Sequence, residues 1–187
     1  MGDNEYNDSP DPEGNFAEWK DNFLYFDQNW THDIDVMHQD IRPENFAFVI
    51  QDTLFMGFNM VGSWIHDADE WAERTADNLA WLQYNFEQFG ATTSNAVLFE
   101  HADMGRSGYE VFETGFLEVA QDYDKPIVYF MGDLHKWSVS NPYDEAPNVT
   151  RVVVDKTTEV ARVLEVGVTD DTDDPFVWDH GVDSLFG

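Results

Sequence analysis

At 187 residues, with 42% hydrophobic and 16% aromatic side chains, the chain can bury roughly 70% of the surface its unfolded form exposes, which excludes disorder for want of a core. Its 38 Asp and Glu against 9 Lys and Arg give a formal net charge of −29, a field that repels phosphate backbones and anionic membranes, so neither nucleic acid nor a membrane is an expected partner. The absence of cysteine excludes disulfides, thiolate metal sites and cysteine nucleophiles.

The acidic excess reads as a solvated, salt-adapted surface whose self-repulsion is screened within roughly 8 Å at physiological ionic strength. No run of 18 apolar residues occurs, and no basic stretch followed by an apolar one opens the chain, so neither a spanning helix nor a secretory signal is visible. Asn7, Asn29 and Asn148 each begin an Asn-x-Ser/Thr site, which matters only in a secreted chain.

The first 45 residues are rich in turn formers. Within them Phe16, Trp19, Phe23 and Phe26 recur at helical spacing in FAEWKDNFLYFDQNW, which predicts a short helix packed into the core. FAFVI and TLFMGFN, split by Gln51-Asp52, predict a hairpin inside a sheet. Asp67 to Phe89 is the clearest helix: Asp67 with Glu70 suits a capping box, and Gly90 sits where a left-handed C-cap belongs. Trp71, Thr75, Leu79, Leu82, Phe86 and Phe89 form its apolar stripe.

AVLFE then predicts a buried strand, followed by His101-Ala102-Asp103 and two glycines. A weaker helix from about Tyr109 to Ala120 leads to a second buried strand, IVYFM, which ends in Gly132-Asp133-Leu134-His135. VTRVVVD and VARVLEVGV alternate like an antiparallel pair. Asp170 to Asp174 lacks the glycine of a calcium loop and reads as a solvated turn. The organisation expected is one domain over residues 1–169 and an acidic C-terminal tail over 170–187.

Two strands thus each deliver a histidine and a carboxylate from their C-terminal ends, the edge that ligand sites favour in sheets covered by helices. Imidazoles with hard carboxylate oxygens suit Zn, Fe or Mn rather than calcium. His32, His38, His66 and His180 lack that context and read as structural. GRSGY lacks the Gly-x-Ser-x-Gly spacing of a serine hydrolase, and no Gly-rich phosphate loop is present.

Taken in order, GDNEYND, RPENFAFVI, GSW, ERTADNLAWLQYNF, VLFEHAD, KPIVYFMGDLHKW and PNVTRVVV resemble the later portion of a calcineurin-like metallophosphoesterase, over about residues 2 to 166. The resemblance implies an α/β/β/α sandwich, two packed mixed sheets flanked by helices, with its N-terminal part missing from this chain. It implies a metal-dependent hydrolase whose two divalent ions, Mn, Fe or Zn, lie about 3.5–4 Å apart and clamp a phosphoester. Asp3 in Gly2-Asp3-Asn4-Glu5, His101, Asp133 and His135 fall on metal-ligand positions. Asn4 stands where the family has the histidine that protonates the leaving group, and Glu5 is the nearest titratable residue for that role.

The family's Asp-x-His and Gly-Asp-x-x-Asp motifs have no counterpart here, so at most one weak metal site is expected in this chain alone. MGDNEYNDSP then reads as the middle of a domain, the chain as a fragment, and an upstream segment or second chain as the partner completing the sheet. The implied substrate is a phosphoester, either a small molecule or a phosphoprotein. The alternative is a non-catalytic remnant of the fold, acting as an acidic binding or interaction module.

Overall fold

The computed structural model describes residues 1–156 and 164–180. Helix α1 spans Pro12–Phe23: Asp11 caps it by accepting the Gly14 N–H at 3.1 Å, and proline occupies the first helical position, where its lack of an N–H removes nothing. A 3-10 turn follows at Phe26–Asn29. Helix α2 spans Ala68–Phe89 and shows half of the predicted capping box: the Asp67 carboxylate accepts the N–H groups of Asp69 and Glu70, while the Glu70 carboxylate accepts from Arg74 instead. Its end departs from expectation. Gly90 is right-handed, at φ −57° and ψ −32°, and the turn after it folds the Thr92 and Thr93 N–H groups back onto the Phe89 carbonyl at 2.9 and 3.0 Å. The Lys125 ammonium donates to the carbonyls of Gly90 and Thr93 at 2.7 and 2.6 Å, holding this turn from across the fold. Helix α3 spans Glu110–Tyr123.

Seven strands form one mixed sheet: β1 Met37–His38, β2 Phe46–Ile50, β3 Thr53–Gly57, β4 Asn95–Phe99, β5 Ile127–Met131, β6 Ser138–Ser140 and β7 Val149–Val153, in the order β1-β2-β3-β4-β5-β7-β6. The β2–β3 hairpin turns at Gln51-Asp52 with Phe48 opposite Phe55, as the split apolar runs predict. Strands β3, β4, β5 and β7 are parallel, joined through α2, α3 and the connection that contains β6. All five residues of β5 are buried, the continuous apolar run of a central parallel strand.

The predicted pairing of VTRVVVD with VARVLEVGV is corrected here. Val149–Val153 lies parallel to β5, whereas β8, Leu164–Val168, pairs antiparallel with β9, Phe176–His180, in a separate two-stranded sheet. Alternation marks a strand without naming its neighbour, and Val149, Val152 and Val153, buried on both faces of β7, can sit only inside the sheet. The VARV part of the second run falls at 160–163, outside the described residues. Strand β9 lies in the span read as a tail, and its Phe176 is buried. The acidic turn before it is exposed, with Asp171 accepting the N–H groups of Asp173 and Asp174, as predicted.

One sheet face carries Leu54, Met56, Leu98, Ile127 and Tyr129 and is packed by α2 and α3 into the larger core. The helices meet at Gly115, where a Cβ would run into the Leu79 side chain. The opposite face carries Val97, Val128, Phe130 and Val152, covered by Leu164, Phe176 and Trp178 of the small sheet. The architecture is therefore α/β, with α2 and α3 on one side of a mixed seven-stranded sheet and a two-stranded sheet on the other. Among the described residues no helix is long and apolar enough to cross a membrane.

The aromatic helix is also corrected. No residue of α1 is buried, and Phe23 and Phe26 are 53% and 49% exposed. Phe16, Trp19, Phe23, Phe26 and Trp30 contact one another ring to ring in sequence, a row that walls a cavity rather than filling a core.

Candidate metal centre

Asp3 is held by a tight turn in which its carbonyl accepts the N–H groups of Tyr6 and Asp8 at 3.0 and 2.9 Å. That turn is pinned to the body by Asn7, whose buried side-chain amide donates to the Gly62 carbonyl at 2.6 Å. Asn7 is therefore a packing residue, not an accessible glycan acceptor in the folded chain. Asn148 is likewise engaged, donating to the carbonyls of Ala120 and Lys125.

His101 leaves the end of β4, and Asp133 follows β5. The two loops are tied together because the His101 carbonyl accepts both the Gly132 and Asp133 N–H groups at 3.1 Å. The His101 Nε2 lies 2.8 Å from the Asp3 Oδ1. One ligand atom from each of Asp3, His101 and Asp133 falls within 4.8 Å of the others. Gly62 backs the third ligand, since a Cβ there would lie 2.8 Å from the Asp133 carboxylate.

Their side chains are 18%, 25% and 21% exposed, sheltered yet reachable. Partial burial pushes the Asp3 carboxyl up, but its hydrogen bond and charge interaction with His101, together with backbone hydrogen bonds, outweigh this and hold it below its ordinary range. One imidazole and two carboxylates fit a borderline divalent cation such as Zn, Fe or Mn. Direct bonds of about 2.0–2.2 Å require only small side-chain movements to gather these three atoms around one ion.

His135 is outside the cluster. It is exposed, and its backbone takes a left-handed turn at φ 56° with its N–H donating to the Gly132 carbonyl. Asn4 is exposed and donates its backbone N–H to the Asp3 carboxylate at 3.0 Å. Glu5 is exposed too, with its carboxylate against Gly2 on the same side as the His101 ring. His32, His38 and His66 bond respectively to the Asp27 carbonyl, to Pro43 and Asp27, and to Asn7, as structural histidines do.

Two residues escaped the sequence reading. Glu100, beside His101, is buried, and its carboxyl is pushed well above its ordinary value by burial first and by the Asp103 charge second, with the Met104 backbone offsetting only part. Neither Glu100 oxygen has a hydrogen-bond partner of normal geometry among the described residues. Arg106 sets its Nη1 3.6 Å from the Asp133 Oδ2 and donates through Nη2 to the Ser63 carbonyl. Nothing in local spacing marks either residue, because both matter through loops that meet only in the fold.

A cavity of about 690 Å³ adjoins the centre at Gly2, His101 and Gly132, and Trp19, Phe23, Phe48 and Phe130 line its far walls. No protein-family model, no curated protein and no solved structure matches the chain.

Proposed function

We propose that this chain forms part of a metal-dependent phosphoesterase centre, in an incomplete version of the α/β/β/α sandwich of the calcineurin-like metallophosphoesterases. The observation that supports this reading is the convergence of Asp3, His101 and Asp133 from three segments far apart in sequence. Asp3 and Asp133 hold a cation by charge, and His101 adds one neutral nitrogen donor. When bound, a divalent ion supplies Lewis-acid charge that polarises a phosphoester.

Asn4 orients: its side-chain amide donates a hydrogen bond to a phosphoryl oxygen and releases no proton. Glu5, exposed beside Gly2, is the nearest titratable side chain for the leaving-group role. His135 makes no first-contact contribution in this geometry. Asp3, His101 and Asp133 would together hold one weakly bound divalent ion. The substrate is a phosphoester of a small molecule or a phosphoprotein.

The test is calorimetric titration of the chain with Mn, followed by hydrolysis of p-nitrophenyl phosphate with and without the ion. The expected result is one weak equivalent of Mn, lost in His101→Ala. A wild-type chain that takes up no Mn, Fe or Zn sinks the reading. Metal uptake with no hydrolysis, alone or with a complementing segment, leaves the non-catalytic acidic binding module in its place.

A further inference from the structure

We infer that Arg106 is the anion clamp of this centre, taking an oxygen of the phosphoryl group that the metal-dependent reading places there; the inference rests on that reading. The argument begins with charge. Asp3 and Asp133 contribute two negative charges and a divalent ion cancels them, so a doubly charged phosphate approaching a chain of net charge −29 finds no net attraction at the ligands alone. A further fixed positive charge is required.

The chain has 9 Lys and Arg, and most of the described arginines are engaged elsewhere. Arg42 pairs with Asp77 and Glu70, Arg74 with Glu70, and Arg151 with Asp103. Among the described arginines, Arg106 is the one that pairs with a residue of the cluster, Asp133.

Its geometry suits a clamp better than a structural pair. One nitrogen, Nη2, is anchored on the Ser63 carbonyl, and the guanidinium carbon lies 6.0 Å from the Trp71 ring, so the plane of the fork is held. The other, Nη1, stands 3.6 Å from the Asp133 Oδ2, too far for a hydrogen bond. The side chain is 29% exposed, and a loose, partly exposed pair adds little to stability. Once an ion draws the Asp133 carboxylate, Nη1 is left with donor capacity beside the ion. A guanidinium fork matches phosphate oxygens in shape and charge, which an ammonium does not.

The experiment titrates inorganic phosphate into Mn-loaded chain, wild type against Arg106→Ala and Arg106→Lys, with Mn affinity measured on each and folding checked by near-ultraviolet circular dichroism. Arg106→Ala is expected to weaken phosphate by about 10- to 100-fold, Arg106→Lys to recover part of that, and Mn affinity to stay within about threefold. If Arg106→Ala proves unfolded, Arg106→Gln replaces it in the same comparison. Phosphate affinity unchanged in a variant that still binds Mn overturns the role of Arg106 and leaves the metal centre standing. Failure of the wild type to bind Mn overturns both.

Discussion

The two faces of the central sheet are built from the same strands and behave differently. On the helix side, Leu98 and Ile127 of the sheet and Phe112 and Phe116 of α3 are fully buried against one another in the core that α2 and α3 close. On the other side the small sheet covers only part of the surface, and Phe48 and Phe99 keep partial exposure beside a cavity that reaches the candidate centre. Alternation sends apolar residues to both faces equally. What differs is the covering layer: the helix face holds the fold together, and the aromatic face leaves room next to the ligands.

The largest expected effect tests that division. Phe116→Ala, at a fully buried site, should cost about 3–5 kcal/mol in urea denaturation, and Phe23→Ala, in the exposed aromatic row, less than about 1 kcal/mol. Equal costs would break the comparison and make α1 part of the core.

Next in size comes the centre at the end of the aromatic face. His101→Ala should weaken Mn binding by at least about 100-fold, and His135→Ala by no more than about threefold, since loss of a supporting contact alone reaches 10–100-fold in metal sites. An equal loss in both, measured by calorimetry, would return His135 to the ligand set.

A third effect belongs to the helix face and depends on pH. The Glu100 carboxyl titrates well above its ordinary 4.5, so the protonated acid is the form the fold prefers. Stability is fully present below pH 4.5 and falls as pH rises from there toward the folded value, by about 1.4 kcal/mol per pH unit. Glu100→Gln cannot ionise and should flatten that decline and raise the melting temperature at pH 7. A variant that melts lower than wild type at pH 7, with an unchanged pH slope, would show that Glu100 is paired and ionised.

The smallest effect sharpens the comparison from the other side. Phe48→Ser should change stability by under about 1 kcal/mol while lowering the fluorescence of a bound apolar dye such as ANS. Undiminished dye binding would mean that the aromatic face is closed in solution.

Much of this was legible in the residues. Asp67 and Glu70 mark the start of α2, the split at Gln51-Asp52 marks the hairpin, and the apolar runs mark β4 and β5, because caps, turns and continuous burial leave local signatures. The resemblance also placed Asp3, His101, Asp133 and His135 in one set, and the fold brings the first three of them within reach of one another.

What local chemistry determined, then, was the type and rough extent of most elements and the donor residues at the strand ends. The tertiary structure alone decided the rest. It held the turn after α2 by Lys125, whose ammonium reaches the Gly90 and Thr93 carbonyls from far along the chain. It set β7 beside β5 and left β8 to β9, because alternation carries no record of a strand's partner. Phe23 stayed exposed, since helical spacing says which rings share a side and not whether anything covers them. His135 was left out and Arg106 brought near Asp133, because a left-handed turn and the meeting of two loops are long-range outcomes that no spacing in the chain records.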